Sequence, residues 1–96
     1  MAIRIAIHGA AGRMGQRLIA LAAADKQFIL AAAVDRPGNP KLGEDAGQLA
    51  GVGTLGVPLT DSLPNNKIDV VIDFSGPAAA VAIARECQKR GLPLVV

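Results

Sequence analysis

Three glycines, Gly9, Gly12 and Gly15, follow a short β-branched run at an even spacing of three residues. The run carries Ile3, Ile5 and Ile7 with nothing to break it, which suits a buried parallel strand. An apolar helical pattern of Met14, Leu18 and Leu21 begins at once. Strand, glycine turn and helix in that order constrain this chain more than any other stretch does. Each glycine has its own reason in such a unit. The first allows a sharp exit from the strand, and the second lets backbone N–H groups approach a diphosphate with no Cβ in the way. The third lets the helix pack closely on the sheet. An anion would lie at the positive end of that helix, facing donors that have no intrahelical partner. The spacing is G-x-x-G-x-x-G rather than the commoner G-x-G-x-x-G, and glycine turns also follow strands for purely structural reasons, so other residues must decide.

Composition narrows the core and the partners. The 96 residues suffice for one domain, and 51% of them are hydrophobic. Only Phe28 and Phe74 are aromatic, so the core must be built from Ala, Val, Ile and Leu, as in parallel α/β sheets. The net charge of +2 is spread without a basic block, and no aromatic platform exists to stack bases, so no nucleic-acid partner is expected. Cys87 is the only cysteine, which rules out an intrachain disulfide and points to a reducing compartment. Neither a Cys/His ligand set nor an acidic calcium loop is present, so no metal is expected. The longest apolar runs, such as 18–24 and Phe28–Val34, fall well short of the roughly 20 residues of a membrane helix. The start of the chain enters a strand without a leader pattern. A soluble, cytoplasmic domain is the expectation.

Taken in order, the first helix is expected over 12–24, with Met14, Leu18, Leu21 and Ala22 turned inward and Arg13, Gln16 and Arg17 outward. Met14 reads as core filler whose N–H lies where phosphate donors belong. A second strand over Phe28–Val34 ends in Asp35 and Arg36. Asp35 lies twenty residues after Gly15, where a dinucleotide site wants an acid for the adenine-ribose hydroxyls. Arg36 suits a 2′-phosphate, because its guanidinium donates two parallel bonds, and acid plus arginine suggests that NADH and NADPH are both accepted. A solvated strand-end pair is the plainer alternative for both residues. Loops rich in Gly, Pro and Asn fill 37–43 and 51–56, around a helical turn over 45–50 with Asp45 near its start. A short edge strand over 57–59 tolerates Pro58. The third strong strand is 68–74, with Phe74 and Ser75 at the end where ligands of an open parallel sheet lie. Pro77 opens a helix over 78–90 that turns Val81, Ala84 and Cys87 inward and is capped by Gly91, and a fourth main strand begins over 92–96.

Three polar or reactive groups stand apart. Asp73, inside an apolar run, reads as a buried acid bonded to nearby backbone N–H groups in preference to a ligand contact. Cys87 reads as a small core residue, not a nucleophile. His8, the only histidine, stands beside the glycine turn with no acid or nucleophile next to it in sequence, so a structural role is preferred and no catalytic residue is assigned.

The segments GAAGRMG (9–15), VDR (34–36), LGEDAGQLAGVG (42–53) and VIDFSGP (71–77) together resemble the N-terminal domain of the 4-hydroxy-tetrahydrodipicolinate (dihydrodipicolinate) reductase family. The resemblance implies a Rossmann-like α/β fold, a parallel sheet with flanking helices that breaks off within or after its fourth main strand. It implies a cytoplasmic NADH- or NADPH-dependent enzyme of lysine and diaminopimelate synthesis that reduces a cyclic dicarboxylate. By the same resemblance Gly9, Ala10, Ala11, Gly12, Arg13, Met14 and Gly15 would cradle the diphosphate. Asp35 would take the adenine ribose, though many members have glutamate there, and Arg36 the 2′-phosphate, while Phe74 and Ser75 would line the nicotinamide side. The family's Gly-Thr-Thr-Gly turn would follow Val96, and its second domain, with paired histidines and a lysine, would bind substrate and form a homotetramer. Residues 1–96 would then be the NAD(P)-binding domain, monomeric and inactive alone. Two other readings fit a domain of this kind: a non-catalytic dinucleotide sensor, or the first domain of another NAD(P)-dependent dehydrogenase.

Overall fold

The computed structural model describes residues 2–96. In chain order it forms β1 (Ile3–His8), α1 (Arg13–Ala23), β2 (Phe28–Val34), α2 (Ala46–Leu49), β3 (Leu59–Thr60), β4 (Val70–Asp73), α3 (Pro77–Arg90) and β5 (Leu94–Val95). The five strands make one sheet in the order β3-β2-β1-β4-β5, every neighbouring pair parallel. This is the Rossmann-like arrangement expected, with the first strand in the middle and the order reversing beside it.

Alternation along β1 decides how the layers form, since successive side chains of a strand point to opposite faces. Ile5 and Ile7 join one core with Ile19 and Ala22 of α1, Ala33 and Leu59. Ala6 joins the other with Ala32, Val34, Val71, and Ile83 and Cys87 of α3. Small side chains in the middle strands let helices lie close on both faces, and no large aromatic is needed.

The strands are shorter than the apolar runs that announce them. Of 68–74 only Val70–Asp73 pairs, and of 92–96 only Leu94–Val95. The edge strand falls at Leu59–Thr60 rather than 57–59, because Pro58 has no N–H for a ladder and makes only an isolated bridge with Asp45. Phe28–Val34 pairs as expected, and Asp45 caps α2 by accepting from the Gln48 N–H. Gly91 closes α3 as its C-cap.

Both long helices are rotated from the expected phase. α1 buries Gly15, Ile19 and Ala22, with Leu18 partly buried against them, whereas Met14 and Leu21 are 47% and 62% exposed. Gly15 makes the closest approach and Ile19 fills the core beside it, while Met14 and Leu21 are pushed to the flank. Met14 is therefore not core filler. In α3 the buried pair is Ile83 and Cys87, while Val81 and Ala84 face outward. Val81 lies about 200° round the helix from Ile83, so one cannot be buried with the other. Among the described residues no helix is long and apolar enough to cross a membrane.

Candidate functional site

The tips of β1, β2 and β4 meet where the strand order reverses, and the glycine turn lies among them. Gly9 leaves β1 with φ +83°, and a Cβ there would come within 2.8 Å of the Phe74 carbonyl carbon. Glycine is thus required both by the turn and by the neighbouring tip, whose Phe74 N–H donates to the His8 carbonyl at 2.9 Å. A Cβ on Gly15 would overlap the Gly9 carbonyl oxygen and the Ala10 backbone, so the close packing it allows is against the turn itself. Gly12 differs from both. A methyl there would meet only the Gly9 oxygen, at 3.4 Å, and no fold contact demands its absence.

Backbone donors divide the turn into two halves. The Gly9 and Ala10 N–H groups both donate to the Val34 carbonyl, at 2.8 and 3.1 Å, and the Gly12 N–H donates to Gly9 at 3.1 Å. The Ala11 N–H donates to Asp35 Oδ2 at 2.9 Å. Gly12, the N-cap of α1, provides no side-chain cap, and among the described residues the N–H groups of Arg13, Met14 and Gly15 have no acceptor. The unspent donors therefore belong to the first turn of the helix, where its dipole is positive.

A cleft of about 230 Å³ opens in front of them, lined by His8, Gly9, Gly12, Asp35, Arg36, Phe74, Ser75, Gly76 and Ala79. Six of the cofactor-binding candidates from the sequence thus share one space, and His8 joins them. Asp35 spends Oδ1 on the Arg36 N–H at 2.8 Å as well as Oδ2 on Ala11, yet each carboxylate oxygen has a second lone pair. Arg36 is exposed and has no ion-pair partner among the described residues. Phe74 is 45% exposed, a large apolar side chain left open at a strand tip. The Arg13 and Met14 side chains face outward from α1, and neither lines this cleft.

Sequence reading missed one feature of the site. His8 Nδ1 lies 2.9 Å from Asp73 Oδ1, both residues buried, so the acid absent beside His8 in sequence comes from β4. The pair follows from register and parity. His8 stands opposite Asp73 in the parallel ladder, and each lies two residues beyond a member of the α3-side core, Ala6 and Val71. The Ser75 N–H, at 2.8 Å, and the Ser75 hydroxyl donate to the same carboxylate oxygen. Burial alone would raise the Asp73 pKa, but the bonds from Ser75 and His8 outweigh it and hold the carboxyl below its ordinary value. An expected buried acid bonded to nearby backbone is thus found, with a histidine added. The signal available beforehand was the shared parity of two polar residues ending two apolar strands. On the α3 side a second cleft of about 390 Å³ is lined by His8, Val34, Asp61, Ser62, Leu63, Ala82, Ile83, Glu86 and Arg90.

Comparison with known proteins bears on the family and the fold. The family described as dihydrodipicolinate reductase, N-terminus, matches residues 3–96. The chain is 43% identical to the 4-hydroxy-tetrahydrodipicolinate reductase of Methylococcus capsulatus, covering all of this chain and 36% of that protein. It is 46% identical to the reductase of the same name from Halorhodospira halophila, covering all of this chain and 37% of the relative. The chain therefore spans little more than a third of the length of these curated relatives. Among solved structures, aspartate semialdehyde dehydrogenase with NADP from Candida albicans superposes with a TM-score of 0.76 at 19% identity, over 98% of this chain and 29% of that one. A myo-inositol dehydrogenase from Corynebacterium glutamicum gives 0.73 at 26% identity, over 98% and 27%. The first of these likenesses speaks for the fold alone.

Proposed function

The chain belongs to the dihydrodipicolinate reductase N-terminal family, and from that premise we propose that it is the cofactor-binding part of a 4-hydroxy-tetrahydrodipicolinate reductase that uses NADH or NADPH. Residues 1–96 form its N-terminal domain, and a second domain supplies the substrate contacts and the homotetramer in a cytoplasmic enzyme. The bound nicotinamide supplies the hydride that reduces the cyclic dicarboxylate. This chain's residues bind and orient. Gly12 and the N–H groups of Arg13, Met14 and Gly15 would hold the diphosphate, with Gly9, Ala10 and Ala11 keeping the shape of the turn. Asp35 accepts from the adenine-ribose hydroxyls, Arg36 receives a 2′-phosphate when one is present, and Phe74 with Ser75 lines the nicotinamide side.

One observation carries the reading. At the strand-order reversal, three helix-start amides without acceptors stand behind a glycine that the fold does not require and that borders a cleft reaching Asp35 and Arg36. Titration with NADH and NADPH, followed by the amide signals of residues 12–15, tests it. Those signals should shift progressively and saturate, and silence at millimolar cofactor would overturn the assignment.

A further inference from the structure

His8 has no part in the roles given above, yet it is placed to take one. Its Nδ1 faces Asp73 Oδ1 at 2.9 Å, and an ionised carboxylate only accepts, so Nδ1 carries the proton. The other ring nitrogen has no partner among the described residues. It is not walled off either, since the one fully enclosed side-chain polar atom left unpartnered there is Asp73 Oδ2. His8 lines both clefts, the one before the glycine turn and the larger one against α3. A dinucleotide laid across the strand tips from Asp35 to Phe74 would pass His8, which lines the same cleft as both.

We propose that His8 is a cofactor contact: with Nδ1 held by Asp73, its Nε2 donates to the phosphate–ribose backbone of the dinucleotide, and binding takes up a proton there. The inference rests on the dinucleotide reading of the site. The donor form has both nitrogens protonated, and the positive ring then lies beside a diphosphate. The groups facing the ring are Asp73 on β4, Asp35 and Arg36 at the tip of β2, Asp61 beyond β3, and Glu86 and Arg90 on α3. Arg90 is engaged by Glu86 at 2.7 Å, and Asp73 stays ionised, so neither competes for the ligand as the ring does. Because the bound state holds the extra proton, affinity falls as pH rises. Ser75 shares the Asp73 oxygen, so the same carboxylate orients the histidine and steadies the tip that carries Phe74.

His8 is the only histidine, so its ring nitrogens give an unambiguous NMR signal. NADH is the probe, since its diphosphate does not titrate near neutrality, with inorganic pyrophosphate as a second ligand. On addition of NADH the Nε2 signal should move toward the protonated, hydrogen-bonded position. Affinity should be about tenfold higher near pH 6 than near pH 8, the size of one hydrogen bond to a charged group. His8→Ala should bind with the weaker affinity at both pH values, and strand amide shifts report whether that variant keeps the fold. A pyrophosphate response alone, without an NADH response at the ring, counts against the proposal. If the amides of residues 12–15 shift while the ring stays unmoved and the pH profile flat, the role of His8 is refuted and the dinucleotide site stands. If those amides are silent too, both fall.

Discussion

A single methyl group separates the three glycines of the turn by role. Gly15→Ala pushes a Cβ into the Gly9 and Ala10 backbone, and we expect a stability loss of about 1–3 kcal/mol by denaturant unfolding, typical of forced overpacking. Gly12→Ala meets only one oxygen at 3.4 Å and should unfold at nearly the wild-type midpoint. Its NADH affinity should nevertheless drop about tenfold, because the methyl stands between the ligand and the helix amides. Equal stability losses in the two variants would refute that division. Arg36→Ala should weaken NADPH about tenfold and leave NADH nearly unchanged, since only the former brings a phosphate to pair. These residues were legible in the sequence because local chemistry marks them: glycine for close approach, an acid and a guanidinium at a strand tip. The bond between His8 and Asp73 was not. It joins residues 65 apart and exists only through the register of two strands that no local pattern pairs.

Elements were easier to find than to orient. β-branched runs locate β1 and β4, a continuous apolar run locates β2, and a turn with Gly9, Gly12 and Gly15 announces α1. Which face of α1 is buried was misread because two of its three buried residues, Gly15 and Ala22, carry little or no side chain, while the larger Met14 and Leu21 are exposed. Size marks burial poorly where two layers pack at short range. The 45–57 segment shows another route to order beside the core contacts of Ala46, Leu49 and Val57. Asp45 caps α2 through the Gln48 N–H and also accepts from the N–H groups of Leu55, Gly56 and Val57. The Leu55 bond leads in lowering its pKa, burial opposes it, and the bonds from Gln48, Gly56 and Val57 lower it further. A folded-state pKa below the unfolded one means stabilisation present above the unfolded value and lost as pH falls through the folded one. Hydrogen exchange of the residue 55–57 amides should therefore speed up as pH is lowered from about 6 to about 3, after correction for intrinsic exchange. In Asp45→Asn those amides should be less protected throughout and insensitive to pH, while β1 amides stay protected.

For the molecule as a whole, β1 is both the middle of the sheet and the floor of the site. Ile7 is fully buried between β2 and β4, so Ile7→Ala should cost about 2–5 kcal/mol, a large share of the 5–15 kcal/mol usual for a domain. Calorimetry with and without NADH connects floor to site. At a hundredfold excess over Kd the ligand should add about 2.7 kcal/mol of stability, and no rise in Tm would deny any preference for the folded state. The bond from Asp35 to the Ala11 N–H matters here, because one carboxylate then serves the sheet edge and the loop at once. An engineer wishing to switch this protein toward phosphorylated cofactors would first exchange that acid for a neutral residue. The exchange would also cut the tether from Asp35 to the Ala11 N–H, so in the proposed binding mode selectivity gained at one end would loosen the grip at the other. Compensating substitutions around residue 11 would have to accompany it.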